Sequence, residues 1–245
     1  MQTFPDVTQS LLSLEQFQFE EERYKKACEK LKQLATGFQN EITVNKNQAP
    51  FDTARTFRCF LSSIGFGVAT QPEWECFTLC GTLLNNAGSC LGLTTLHVAL
   101  GEMSDLPIRT ALFEGHIVPV YMDDETSIYI ETTRRSSTMY EHSIRQLHGN
   151  PVKLLSNEEF LAVHLSNRAT FVYVRAGLID DAVFLIDSAL ELFPDYTAGW
   201  INRAAIMKEL DNTKEMRRSL DIAKSLNPGM RYTKAIEKLE GEKHE

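Results

Sequence analysis

The sequence predicts an α+β chain, and three observations carry that prediction. Apolar residues recur at helical spacing through most of the first hundred positions. A block rich in β-formers runs from Arg109 to Thr133. The last third is helical again and repeats itself. The chain has 245 residues, 43% of them hydrophobic and 24% charged, a composition that argues against wholesale disorder. With 33 acidic and 25 basic residues the net charge is −8, which argues against neutralising a phosphate backbone. The basic pairs Lys25-Lys26, Arg134-Arg135 and Arg217-Arg218 are short and read as solvated faces. No stretch approaches the roughly 18 apolar residues of a membrane span. Met1 to Leu14 lacks a basic segment followed by an apolar one, so no secretory signal is expected. The chain therefore reads as cytoplasmic, with reduced thiols and with neither nucleic acid nor membrane as partner.

Taken in order, residues 8 to about 46 read as one helix, with Leu11, Leu12, Phe17, Phe19, Tyr24, Cys28, Leu31 and Leu34 spaced three to five apart among Glu and Lys. Thr53 to Ser63 predicts a second helix, closing at Ile64-Gly65-Phe66-Gly67. Pro72 to Leu84 predicts a third, with Trp74, Phe77, Leu79, Cys80 and Leu83 as core candidates. A polar, Gly-containing break from Asn85 to Ser89 then leads into an apolar helix from Leu91 to Leu100, capped by Ser89, with Cys90 at its start. Beyond Pro107 the pattern changes to strands: Arg109 to Met122 around Gly115-His116, then Ser127 to Thr133. If Asp123-Asp124 form a two-residue hairpin loop, Met122 faces Glu125 and His116 falls opposite Glu131 on the same face of the hairpin. A one-residue slip would separate them.

From about Ser156 the chain is helical to its end. Gly177, Ala182, Ala189, Leu192 and Pro194 are followed by Asp211, Met216, Ala223, Leu226 and Pro228 at a constant shift of 34, and Asn167-Arg168-Ala169 returns as Asn202-Arg203-Ala204. Small residues at that period, with Pro after the second helix, are the tetratricopeptide pattern, whose grooves usually take a peptide or protein segment. The expected organisation is an N-terminal helical segment (1–45), an α+β core (46–152) and a helical repeat module (153–245).

The chemistry centres on Cys90. A thiol nucleophile needs a base beside it and a group that orients the base. A helix N-terminus favours negative charge on a thiol placed there. His116 on a strand is the candidate base and proton donor, and Glu131 the candidate acceptor for its other ring N–H. The amides of Cys90 and its neighbour would face a developing oxyanion. Each residue also has a bland reading: a core thiol, a structural histidine, a solvent-facing acid. Their order along the chain is what favours the functional one. His97, two helical turns after Cys90 and roughly 10 Å away by helical rise, is too far to act as base. Ser89 is a cap rather than a nucleophile. The spacing of His142, His148 and His164 suggests no metal, Asp123-Asp124-Glu125 reads as a solvated turn, and no phosphate loop is present. Neither cofactor nor metal is expected. The cysteines Cys28, Cys59, Cys76, Cys80 and Cys90 are odd in number and lack framework spacing, so the four besides Cys90 read as buried thiols.

These residues carry a resemblance. NAGSCLGLTTL (86–96), EGHIVPV (114–120) and IETTRR (130–135) resemble the bacterial transglutaminase-like family, and more closely its subgroup with tetratricopeptide repeats behind the core, over roughly residues 50 to 230. The resemblance implies a papain-like α+β core with a Cys–His–acid triad, here Cys90, His116 and Glu131. The broader superfamily usually has Asp in the third place. The Trp that often follows the His is replaced by Ile117-Val118-Pro119. The expected activity is cysteine-dependent amide or peptide hydrolysis, or acyl transfer, through a thioester on a peptide or protein substrate. The alternative is an inactive scaffold acting as a protein-interaction adaptor through the repeats.

Overall fold

The computed structural model describes residues 5–44, 49–71, 73–123, 126–133, 137–149, 153–174 and 176–241. The chain divides into two compact units, one ending at Leu155 and one starting at Ser156. The class is α+β: helices dominate, and the first unit carries an antiparallel five-stranded sheet.

Two helices occupy the stretch that reads as one, α1 (Asp6–Glu15) and α2 (Glu21–Val44). No Gly or Pro marks the break; tertiary contacts impose it. The buried Glu15 carboxylate accepts the amides of Leu79 (2.8 Å) and Cys80 (2.7 Å). Phe19 packs on Trp74 with ring centroids 5.2 Å apart, and Phe17 between these anchors is left 92% exposed. Helix α3 (Pro50–Ser63) begins on a proline, whose missing N–H costs nothing in a first turn. It closes at Gly65, whose φ of +86° is left-handed.

The stretch that reads as a third helix is divided as well. A 3₁₀ turn at Trp74–Phe77 gives way to extended Thr78 and then to α4 (Leu79–Asn85). Pro72 lies outside the described residues. Thr78 Oγ1 accepts the Gly81 amide, so with Glu15 the first three amides of α4 are all capped by side chains. A short parallel pair, β1 (Gly67–Val68) with β2 (Ala87–Gly88), leads into α5 (Cys90–Met103). Ser89 caps α5 by accepting the Gly92 amide at 3.3 Å. Leu91 to Gly101 are all buried, which explains why this helix lacks a polar face.

Gly92 matters for a packing reason. A Cβ there would lie 2.3 Å from the Cys76 carbonyl oxygen and 2.3 Å from Thr82 Oγ1. Gly92→Ala should therefore displace the start of α5 and cost about 1–3 kcal/mol of stability in a urea melt. The shift should also slow alkylation of Cys90. Wild-type values for both would contradict the close approach.

The sheet consists of β3 (Ile108–Phe113), β4 (His116–Met122), β5 (Ser127–Glu131), β6 (Ser137–Tyr140) and β7 (Lys153–Leu155), in the order β6-β5-β4-β3-β7. Helix α6 (Glu141–His148) lies between β6 and β7 in sequence; β6, α6 and β7 are not among the elements predicted from the residue pattern. Strand faces follow the two-residue period. Ile128 and Ile130 enter a core with Leu96, Ala99 and Leu100 of α5. Val118, Val120 and Tyr129 enter a second core with Phe113 and with Ile144 of α6. Helix α5 thus packs on one face of the sheet and α6 on the other. His116 and Glu131, in register with Val118 and Tyr129, share the α6 face.

In the second unit, α7 (Asn157–Arg168) opens on a capping box of Ser156 and Glu159 and continues into a π-helical turn at Ala169–Tyr173. Four helices follow: α8 (Ile179–Leu192), α9 (Thr197–Glu209), α10 (Thr213–Ser225) and α11 (Met230–Gly241). The 34-residue shift has a structural counterpart, because Gly177 (φ +74°) and Asp211 (φ +53°) hold the left-handed position just before α8 and α10. Ala169, Ala182, Ala189, Ala204 and Ala223 are fully buried where helices meet.

No disulfide joins any of the five cysteines. Cys76 and Cys80 are buried and Cys28 is half-buried; Cys59 is exposed, on the solvent side of α3, contrary to its reading as a core thiol. Among the described residues no helix is long and apolar enough to cross a membrane.

Candidate active site

A two-residue loop, Glu114-Gly115, joins Phe113 to His116 and places the histidine first in β4. The next hairpin differs from its expected register. Met122 pairs with Ser127 rather than Glu125, and the loop has four residues, closed by the Thr126 amide on Asp123 Oδ1. Asp124 and Glu125 lie outside the described residues, as do Arg134 and Arg135. The shift is two residues, an even number, so Glu131 keeps its face but sits diagonally to His116 instead of opposite it.

Pro119 shapes the meeting point. The Met122 amide bonds Pro107 on the β3 side, so by alternation position 119 faces β5. Proline has no N–H to offer there, and the β4–β5 pairing ends at Val120 with Tyr129. Two residues before Pro119, the Ile117 carbonyl takes its hydrogen bond from Thr94 Oγ1 of α5 at 3.2 Å. Cys90 lies four residues before Thr94 on the same helix. The open end of the strand pair is what lets a helix on one face meet side chains of the other.

There His116 interacts with Cys90 and hydrogen-bonds Glu131. Its Nε2 donates to Glu131 Oε2 at 3.0 Å, which leaves Nδ1 for the sulfur. Burial opposes the charged ring, but the hydrogen bonds and charges of Cys90 and Glu131 outweigh it and push His116 up to about 9. Glu131 is fully buried. That burial would raise its carboxyl, yet hydrogen bonds from His116 and Thr133 hold it well below the usual carboxylate range. Glu131 Oε1 accepts both the Thr133 amide and the Thr133 hydroxyl, each at 2.7 Å.

The structure adds a residue that sequence spacing set aside. His148, at the last turn of α6, donates Nε2–H to the same Glu131 Oε2 at 2.5 Å. Its ring stacks on His116 with centroids 4.2 Å apart, and Phe113 lies beyond it at 5.6 Å. His148 sits four residues after Ile144, so the helix face that fills the second core also carries the histidine. The available signal was a short amphipathic helix after Tyr140. The donor atoms of His116, Glu131 and His148 lie within 4.8 Å of one another, a spacing that a metal ion could use.

The other candidates stay outside. His97 is buried in α5 with Nδ1 on the Leu93 carbonyl (2.8 Å), and burial lowers it to about 4. His164 is buried in α7 and His142 is exposed. A cavity of about 210 Å³ runs beside Leu93, His97, Thr132 and Thr133, the last of which holds Glu131.

No family model matches the chain, and neither does any curated protein sequence. Among solved structures the chain is similar to menin, in a crystal structure that reveals the binding site for the Mixed Lineage Leukemia (MLL) protein. The TM-score is 0.52 and the identity 12%, over 97% of this chain and 70% of that one. The likeness is one of fold.

Proposed function

We propose that the first unit is a cysteine-dependent amide or peptide hydrolase of transglutaminase-like type and that the second is a tetratricopeptide-like module that binds a protein segment. The observation that carries the first reading is that His116 both interacts with Cys90 and hydrogen-bonds Glu131 at 3.0 Å. His116, charged at neutral pH, already holds the proton that the thiol gives up, and Cys90 Sγ attacks the carbonyl carbon. His116 then gives that proton to the leaving amine, and water resolves the thioester with regeneration of the thiol. The Ser89 cap engages the amides of Gly92 and Leu93, not those of Cys90 and Leu91, so these two are the donors for the oxyanion. Glu in place of the family's usual Asp suits the diagonal register, where the extra methylene reaches His116.

Cys59 provides an internal reference for the test. Iodoacetamide at neutral pH, with mass-spectrometric mapping, should alkylate half-buried Cys90 faster than exposed Cys59. His116→Ala should slow Cys90 by about tenfold or more and leave Cys59 unchanged. Cys90→Ala should abolish cleavage of any peptide the protein hydrolyses. A Cys90 slower than Cys59, or indifferent to His116→Ala, would count against the enzyme.

The protein-binding reading of the second unit rests on the 34-residue repeat and its left-handed counterparts at Gly177 and Asp211. The menin-like fold, in a protein whose structure displays a partner's binding site, agrees with it.

A further inference from the structure

Thiol chemistry needs one imidazole at the sulfur and one acid behind it. His148 is surplus to that requirement, yet it is built into the same buried carboxylate. Both histidines aim Nε2 at one oxygen, Glu131 Oε2, from 3.0 Å and 2.5 Å. Thr133 holds the other oxygen, so the two rings share Oε2. The three side chains come from β4, β5 and α6, whose neighbouring residues Val118, Tyr129 and Ile144 are locked in one apolar core. Ligand atoms around tetrahedral Zn²⁺ at ~2.0–2.1 Å stand ~3.3 Å apart. Reaching that spacing moves Oε2 ~0.3 Å further from His116 Nε2 and ~0.8 Å further from His148 Nε2, and turns the hydrogen-bonded cluster into a coordination shell. Two imidazoles and one carboxylate suit a first-row transition ion rather than Mg²⁺ or Ca²⁺, and the Thr133 contacts are the outer shell such a ligand needs. Both histidine side chains remain 11% exposed, which leaves the cluster an approach from solvent.

We propose that His116, Glu131 and His148 bind one divalent first-row transition ion of the Zn²⁺ class, with solvent completing the shell, and that the bound ion silences Cys90. The second clause rests on the hydrolase reading. On binding, each ring's Nε2 proton is displaced, to solvent from a charged ring or to the ring's own Nδ1 from a neutral one, and the metal takes that lone pair. His116 then carries its one ring proton on Nδ1. It can neither accept a proton there nor give one up as a charged ring would, so proton transfer to and from Cys90 stops until the ion leaves.

The test uses the full chain, freed of metal by a chelator and titrated with Zn²⁺ alone by calorimetry. One equivalent should bind. Loss of an outer-shell partner alone costs about 10–100-fold in affinity, so His148→Ala, which removes a ligand, should weaken binding by more than about a hundredfold. His148→Phe keeps the ring stack and should weaken it equally, which separates ligand loss from misfolding. Cys90→Ala should bind as wild type. Saturating Zn²⁺ should slow iodoacetamide alkylation of Cys90 in the wild type and not in His148→Phe. Equal affinity of wild type and both His148 variants would overturn the site, as would loss of binding in Cys90→Ala alone. One equivalent bound with unchanged alkylation would overturn the silencing. Calorimetry reads the ion whether or not an amide is ever cleaved, so failure of the hydrolase reading would be seen separately.

Discussion

Glu131→Gln is expected to lower Cys90-dependent peptide cleavage by about 10³–10⁴-fold. The reason is a mismatch of donors. The carboxylate accepts from His116, His148, the Thr133 amide and the Thr133 hydroxyl. A carboxamide has one accepting oxygen and must turn its NH₂ toward one set of these donors. If it faces the histidines, His116 must accept at Nε2 and carry its proton on Nδ1, the wrong tautomer for taking a proton from Cys90. If it faces Thr133, the Thr133 amide is left without an acceptor. Each unsatisfied group costs about 1–3 kcal/mol, so the midpoint of urea unfolding should fall as well. Glu131→Asp keeps the charge but shortens the reach across the diagonal and should fall between wild type and Gln. Turnover of the Gln variant within tenfold of wild type would remove Glu131 from the mechanism.

The second large effect is acid lability from buried histidines away from the Cys90–His116–Glu131 site. Burial holds His97 at about 4 and His164 at about 3, the latter with help from the charge of Arg168. Both rings are neutral when folded and titrate near 6.5 when unfolded. Between those values the unfolded chain binds more protons, so stability is present above about pH 6.5 and is lost as the pH falls through the folded values. For His97 alone the loss is about 3 kcal/mol by pH 4. His116 has the opposite sign: its stabilisation is intact below about pH 6.5 and is lost as the pH rises through about 9. Thermal melts from pH 4 to 10 should therefore give a dome, and replacing His97 with a neutral polar residue should flatten its acid side. An acid side unchanged by that replacement would mean that the ring titrates normally in the folded chain.

The two units carry separate versions of this lability, His97 in the first and His164 in the second. Differential scanning of the full chain at pH 5 should lower both transitions.

Much of this molecule was legible along the chain because it is written locally. Apolar spacing and the Ser89 cap announced α5, β-former runs announced β3 to β5, and the pattern after Ser156 announced the helices of the last third. Cys90, His116 and Glu131 stood out because each occupies a marked position: a helix start, a strand start beside a tight turn, and a charged residue inside an apolar strand. What could not be read was set by contacts between distant residues. The break after Glu15 exists because its carboxylate caps a helix more than sixty residues away. The two-residue shift of the β4–β5 register depends on loop closure, which propensity does not encode, and the face survived only because the shift is even. His148 lies in a short amphipathic segment whose helical state is decided by packing on the sheet. The sequence by itself determined which groups are available for chemistry. The tertiary structure alone decided that a second imidazole shares their carboxylate, because such a meeting depends on register and helix placement rather than on any local preference of the chain.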